Sequence, residues 1–144
     1  MRASLAAAAF ATTIVLVAAT ASAERPADGR AEPSAREDYV LNCSGCHRVS
    51  GAGVAGAVPA LVALDRVAAD DEGRIYLVRA PGVAQAPLSD ARLARLLNWL
   101  VATFGEAGRP PSPRYTAGEV GRLRTSPLRA PAAARERITA RLGD

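Results

Sequence analysis

The chain has 144 residues, 49% of them hydrophobic, and this length fits one modest domain. All 18 basic residues are arginine, and they exceed the 14 acidic residues by four. Only 4% of the residues are aromatic, which is little material for the core of a small domain. A large apolar cofactor would fill that core.

The first 23 residues have the pattern of a secretory signal peptide. Arg2 is followed by an uncharged apolar run over residues 5–19, and Ala21-Ser22-Ala23 is typical of a cleavage site. We therefore expect residues 1–23 to be removed, Glu24 to become the N-terminus in the periplasm, and residues 24–33 to form a linker. The alternative is a membrane anchor, for which the apolar run is marginal in length. After cleavage we expect no stable membrane span.

The basic excess is concentrated late in the chain. Residues 105–144 hold eight arginines and four acidic residues, whereas residues 37–104 hold six and seven. A basic segment can bind nucleic acid, but an exported protein rarely meets it, so we expect no nucleic-acid partner. An acidic protein partner or an anionic membrane surface is favoured instead.

The first predicted helix leads into the most informative motif of the sequence. Ser34 and Glu37 have the spacing of a capping box, which predicts a helix start. Cys43, Cys46 and His47 follow, and they include both cysteines and the only histidine of the chain. C-x-x-C-H is the attachment sequence of c-type haem, because two thiols on one turn add to the two porphyrin vinyl groups and the histidine binds the iron.

Three other interpretations of this motif are weaker. A disulfide oxidoreductase would place C-x-x-C in a thioredoxin-like βαβ pattern, and no such pattern surrounds it. A structural zinc site needs a fourth ligand, and the chain has no further cysteine or histidine. A plain disulfide leaves His47 unexplained.

With its flanks, the motif resembles the class I cytochromes c. Ala35 and Tyr39 precede Cys43 at the spacings of that family's first helix, although Ala35 replaces the usual glycine. A glycine-rich loop then ends in Pro-x-Leu at residues 59–61, and "LSDARLARLLNWL" at residues 88–100 is similar to the family's last helix. The resemblance implies an all-α fold: a small cytochrome c-like helical domain over residues 34–105, wrapped around one covalent haem c.

The resemblance also implies site residues. His47 would bind the iron, and Pro59 would accept a hydrogen bond from its ring through the backbone carbonyl, which fixes a metal-bound histidine. On the residues alone, Pro59 only starts a helix over residues 60–68, which is compatible with that role. Tyr76, Arg79 and Trp99, like Arg74, can donate to haem propionates, and Trp99 lies near the family's aromatic that faces the first helix and the haem.

Two further helices are predicted in this region. Residues 74–82 are compatible with a short strand or a helix, and the resemblance favours the helix. Ser89 then predicts a cap for the last helix, whose leucines recur on one face as far as Phe104. Gly105 ends that helix.

Residues 106–144 lie outside the resemblance and form a Pro/Arg-rich, partly helical extension. Thr116 predicts the cap of a short helix through Leu123, and residues 131–142 form a second candidate helix. The extension either packs on the preceding domain or is a mobile basic arm. Helical spacing favours packing through four apolar side chains, Tyr115, Val120, Leu123 and Ile138.

The sequence lacks the usual second axial ligand of the family. Class I cytochromes c carry a methionine before a proline in the loop that precedes the last helix, and Ala86 stands before Pro87 here. No lysine, second histidine or methionine other than the initiator exists. The sixth position is therefore open or water-bound, or it takes a weak ligand from Gln85, Tyr76 or the amine of Glu24.

These features predict a mono-haem c-type cytochrome of the periplasm, an electron-transfer protein and not an enzyme. Its partner would be a periplasmic redox protein or dehydrogenase, with an acidic docking face if the arginine-rich extension takes part. The alternative is the binding or sensing of NO or CO at a five-coordinate haem. Peroxidase-like catalysis is disfavoured because no distal histidine can act as acid or base.

Overall fold

The computed structural model describes residues 31–108 and 112–143. Within these ranges the chain is helical and contains no strand, as the all-α prediction requires; Val54 and Val58 form one isolated bridge. The predicted signal peptide and the Glu24 amine lie outside the described residues. The helices are α1 (Ala35–Asn42), α2 (Ser44–His47), α3 (Leu64–Ala69), α4 (Asp71–Arg79), α5 (Asp90–Phe104), α6 (Ala117–Arg124) and α7 (Pro131–Leu142).

Local signals in the sequence account for most helix starts. The capping box predicted at Ser34 is confirmed: its hydroxyl accepts from the Glu37 amide, and the Glu37 carboxylate accepts from the Ser34 amide at 2.7 Å. Ser89 and Thr116 cap α5 and α6, as predicted, and each side-chain oxygen accepts from the backbone amide three residues later. Residues 71–79 form a helix, so the strand alternative for this stretch is wrong.

One predicted helix begins later than expected. The helix assigned to residues 60–68 starts at Leu64, after Ala63 in a left-handed conformation. The preceding backbone has other partners, because the Leu61 amide donates to the Gly51 carbonyl at 2.7 Å and the Pro59 carbonyl accepts from His47. Residues 59–63 therefore belong to a loop that returns to α2.

The centre of the fold is the contact between α1 and α5. Tyr39, only 1% exposed, packs with ring centroids 5.5 Å from Trp99 and 5.7 Å from Phe104. Beside it, the fully buried Asp38 carboxylate pairs with Arg92 of α5. The leucines of α5 complete one apolar face, so the stripe predicted from their spacing is the core.

The C-terminal extension packs on this core, and the mobile-arm alternative is wrong for the described residues 112–143. Val120 and Ile138 are 0% and 2% exposed. The Asn98 side-chain amide forms two hydrogen bonds with the backbone of Tyr115, at 2.8 and 3.0 Å. Residues from Pro33 onward accordingly form one compact unit.

Arg74 joins α4 to the extension. Its guanidinium forms two hydrogen bonds with Glu119, at 2.6 and 2.7 Å, and donates to the carbonyls of Pro113 and Arg114. It also lies 4.1 Å from the centre of the Tyr115 ring, close enough for a cation–π contact. Arg74 was a candidate donor to the haem propionates. In the structure its guanidinium is bound to the extension instead.

No helix within the described ranges is long and apolar enough to cross a lipid bilayer.

A second link joins the start of α4 to the extension, this time to α7, and it is an ion pair. It predicts that the stability of the fold depends on pH. The Asp70 carboxylate accepts from Arg141 at 2.7 and 3.0 Å and caps α4 through the Gly73 amide at 2.8 Å. The bond from Arg141, and then that from Gly73, lower the Asp70 pKa from 3.8 to about 2. The folded chain therefore keeps this carboxylate ionised at pH values where the unfolded chain protonates it.

Asp70→Asn should lower the free energy of unfolding at pH 7, because asparagine keeps the cap but loses the charge. The stabilisation by Asp70 is fully present above its unfolded pKa and is lost as the pH falls from 3.8 to about 2. Urea unfolding between pH 2 and 7 should therefore show the two proteins converging in acid. Asp71→Asn, an exposed carboxylate in the same turn, is the control, and a constant difference for Asp70→Asn across this range would contradict the assignment.

Candidate functional site

The C-x-x-C-H motif lies where α1 ends against the core. Cys43 leaves the helical conformation, with φ −126° and ψ −34°, and its amide still donates to the Tyr39 carbonyl at 2.9 Å. The single turn α2 follows, in which the amides of Cys46 and His47 donate to the Cys43 carbonyl at 3.2 and 3.0 Å. The turn places the two cysteines three residues apart, where side chains are neighbours.

Both thiols are free and differ in exposure. Cys46 is exposed, whereas Cys43 is half-buried and packs against the hydrophobic core. Burial raises the pKa of the Cys43 thiol, and the charges of Asp38 and Cys46 add to this. Disulfide oxidoreductases depend on a cysteine of lowered pKa, so the surroundings of Cys43 give no support to that interpretation.

His47 is oriented by a contact with Pro59. Its Nδ1 atom lies 3.1 Å from the Pro59 carbonyl oxygen, which can only accept, so Nδ1 carries the proton and Nε2 is the nitrogen left to bind a metal. Burial lowers the pKa of the ring, against the opposing effect of this hydrogen bond, which favours a neutral imidazole. A neutral, oriented imidazole with one free nitrogen is what a metal-binding histidine requires.

The loop of residues 48–61 brings Pro59 back to His47. Its backbone turns through positive φ at Gly51 and Gly53, and the Gly53 amide donates to the His47 carbonyl at 3.1 Å. The loop also packs closely: a Cβ atom on Gly51 would lie 2.6 Å from the Phe104 ring, and one on Gly53 would lie 2.4 Å from the Val58 carbonyl oxygen. These two glycines therefore shape the loop through contacts with the protein itself.

Most of the exposed large hydrophobic side chains are close in sequence to the C-x-x-C-H motif. Among the described residues, six large hydrophobic side chains are exposed, and five of them fall between positions 40 and 62. The most exposed is Leu41, at 74%. The six are Val40, Leu41, Val49, Val54, Val62 and Ile75.

Of the other predicted site residues, Trp99 and Arg79 contact other parts of the protein, and Tyr76 is half-buried. Trp99 is half-buried against Tyr39. Tyr76 is half-buried, and burial raises its pKa. The Arg79 guanidinium donates to the Ser126 carbonyl in the extension, and its own carbonyl accepts from the Leu128 amide at 3.0 Å.

The loop before α5 has no methionine where class I cytochromes c place their second axial ligand, and it is closely packed at Ala86. Ala86 is 8% exposed and belongs to the hydrophobic core. The Gln85 side chain is exposed, and its Oε1 accepts from the Gly82 amide at 3.0 Å within the same loop. The side-chain oxygen of Gln85, a candidate sixth ligand, therefore already accepts a hydrogen bond within its own loop.

Sequence reasoning missed the residue that holds this loop. Arg124 of α6 donates to the carbonyls of Ala84, Ala86 and Leu88 at 3.0, 2.6 and 2.8 Å, and to Asp90 Oδ1 at 3.2 Å. The contacts span 34 to 40 residues of sequence. No local pattern indicates them, because an arginine in a basic helix resembles any other solvated arginine.

No protein-family model matches the chain, and no curated protein matches it either. Among the described residues, no three His, Cys, Asp or Glu side chains are grouped so as to hold a metal ion. The residues of the motif, two free thiols on one turn and an oriented imidazole, could hold a covalently attached haem with histidine ligation.

The loop geometry gives a direct test of what positions His47. Gly53→Ala should destabilise the fold more than Gly56→Ala, although both glycines have positive φ, at 66° and 73°. A Cβ at Gly56 meets nothing within 4 Å, so that variant should cost only the left-handed penalty of about 1–2 kcal/mol. Gly53→Ala must also displace the backbone at residues 58–59 and should cost at least about 1 kcal/mol more.

The measurements are urea unfolding and the NMR shift of the His47 ring nitrogens. The ring signals should move in Gly53→Ala and stay in place in Gly56→Ala. Equal losses of stability with unchanged ring signals in both variants would mean that the Gly53 turn does not hold Pro59 against His47.

Proposed function

We propose that this chain is a mono-haem c-type cytochrome that transfers single electrons in the periplasm. The observation that carries the proposal is the contact between His47 Nδ1 and the Pro59 carbonyl, at 3.1 Å, beside two free thiols on one turn. The proposed export and the C-x-x-C-H spacing agree with it. The resemblance to class I cytochromes c supports the same function by analogy of fold and motif.

Each residue of the site has a defined part in this proposal. Cys43 and Cys46 hold the group through thioethers, and His47 binds the iron through Nε2. Pro59 fixes the imidazole ring, and the aromatic contact of Tyr39 with Trp99 keeps α1 seated on α5. A c-type haem supplies a reversible one-electron couple; the chain orients it and limits its contact with water.

The composition of the chain favours an open or water-bound sixth position. No lysine, second histidine or internal methionine is present, and Gln85 already bonds within its own loop. Without a methionine ligand the potential should be lower than that of a methionine-ligated haem. The same open position makes reversible binding of CO or NO the second candidate function.

The proposed partner is a periplasmic redox protein or dehydrogenase with an acidic docking face. Three arginines of the extension, Arg122, Arg129 and Arg135, are exposed and would meet such a face. Complementary charge chiefly speeds encounter and is weakened by salt.

Covalent attachment is the primary test. The chain, expressed with its first 23 residues and a cytochrome c maturation system, should carry haem that resists acid–acetone extraction. Cys43→Ala and Cys46→Ala should each lose one thioether, seen as a shifted pyridine haemochrome spectrum or reduced haem content, and the double variant should lose covalent haem entirely.

Ser44→Ala is the matched control, since Ser44 lies between the cysteines and bonds only to the Val40 carbonyl, at 2.8 Å. It should keep the wild-type haem content. Purified wild-type protein without covalent haem under these conditions would refute the proposed function.

Ala86→Met tests the open sixth position. Ala86 precedes Pro87 where class I cytochromes c place their methionine, so the variant should gain the sulfur-to-iron charge-transfer band when oxidised, with a higher potential and weaker CO binding. Ala84→Met, at an equally buried alanine two residues earlier, should show no such band.

Both substitutions enlarge a packed side chain, which alone costs about 1–3 kcal/mol. If Ala86→Met is destabilised but its spectrum and reduction potential are unchanged, then Ala86 does not face the iron. A wild-type spectrum that is already low-spin and insensitive to CO would point instead to an internal ligand.

A further inference from the structure

Arg124 is the main link between the extension and the loop of residues 84–88. Its side chain is 17% exposed, and all three guanidinium nitrogens are used. Nε donates to Ala84, Nη2 to Ala86 and Nη1 to Leu88, each through the backbone carbonyl. Three alternate carbonyls of one loop are thereby bound to a single rigid, planar group.

Two contacts between α6 and the start of α5 fix the position of this guanidinium. Nη1 also donates to the Asp90 carboxylate in the first turn of α5, at 3.2 Å. Gly121 of α6 allows the close approach, since a Cβ atom there would lie 2.5 Å from Asp90 Oδ2. The helix α6 therefore sits directly against the start of α5, and Arg124 reaches the loop from a helix and not from a flexible segment.

The same loop and the cysteine-bearing turn share one hydrophobic core. Ala86 and Leu88 are members of that core, and Cys43 and Leu61 pack against it. The loop and the cysteine-bearing turn are therefore connected through this core. The hydrogen bonds within the loop join it only to neighbouring residues, such as Ala86 to Val83 at 3.1 Å and Gly82 to Gln85 at 3.0 Å, whereas Arg124 ties it to the extension.

We propose that Arg124 is a positioning residue by which the C-terminal extension holds the 84–88 loop closed and so limits access to the sixth coordination position of the haem. This inference rests on the proposed function for its second half, while the closure of the loop stands on the described contacts alone. The extension would then set ligand access and potential at the site in addition to stabilising the fold.

Arg124→Ala and Arg124→Lys test the proposal. A lysine ammonium keeps the charge but cannot bind three carbonyls in fork geometry, so both variants should open the loop. In the holoprotein, amide hydrogen exchange in residues 83–88 should quicken by about tenfold or more, and CO association with the reduced protein should quicken severalfold with a shifted reduction potential.

Arg141→Ala is the matched control. Arg141 also attaches the extension, through Asp70 and Glu72, but it does not contact the loop. It should lower the melting temperature without changing loop exchange, CO association or potential. Equal changes in the Arg141 and Arg124 variants would show that general loosening of the extension is the cause and would overturn the proposal.

The readouts separate the two inferences. Faster loop exchange in the Arg124 variants, with CO association and potential unchanged, would overturn the control of access while covalent haem still stood. Wild-type-like behaviour of Arg124→Lys on every measurement would show that charge suffices and would overturn the clamp. A wild-type chain without haem would refute the proposed function and access control with it, leaving loop exchange to decide the clamp alone.

Discussion

The fold depends on the burial of one carboxylate between α1 and α5. Asp38 is fully buried, and its charge is met by Arg92, with Arg95 at 3.5 Å. A buried carboxylate without a partner is very unfavourable, so breaking such a pair from one side costs about 3–5 kcal/mol. The pairing fixes which side of α1 faces α5, and it thereby seats the neighbouring Tyr39 against the Trp99 ring.

The geometry of the candidate site follows from that arrangement. With Tyr39 fixed, the chain leaves α1 at Cys43 one turn later, and the turn that bears Cys46 and His47 starts from the surface of the core. The glycine-rich loop then returns the Pro59 carbonyl to His47. A site of two thiols and one imidazole is thus built by one short helix, one loop and their contacts with α5.

Local signals in the sequence predicted much of this architecture. The serine and threonine caps, the leucine face of α5 and the helices of the extension depend on residues three or four positions apart, and those spacings are visible in the sequence. The Cys43–His47 spacing was equally visible, and the contact of Pro59 with His47 was expected from the resemblance. The late start of α3 was missed because the carbonyl of Pro59 and the amide of Leu61 bond to residues ten or more positions earlier.

Long-range partners were beyond the reach of sequence patterns for the same reason. Arg74 and Arg79 have the chemistry of propionate donors, yet both bind the extension, since which acceptor lies near an arginine depends on the packing of distant segments. The role of Asp38 was likewise hidden, because an aspartate in the first turn of a helix usually faces solvent. Its partner Arg92 is 54 residues away.

The separation between Arg124 and its carbonyls also orders events during synthesis. Residues 84–88 leave the ribosome 36 to 40 residues before the guanidinium that fixes them. Domains generally fold as units, so the 84–88 loop reaches its final, clamped state only after α6 has been made, and the extension sets the last step in completing this loop.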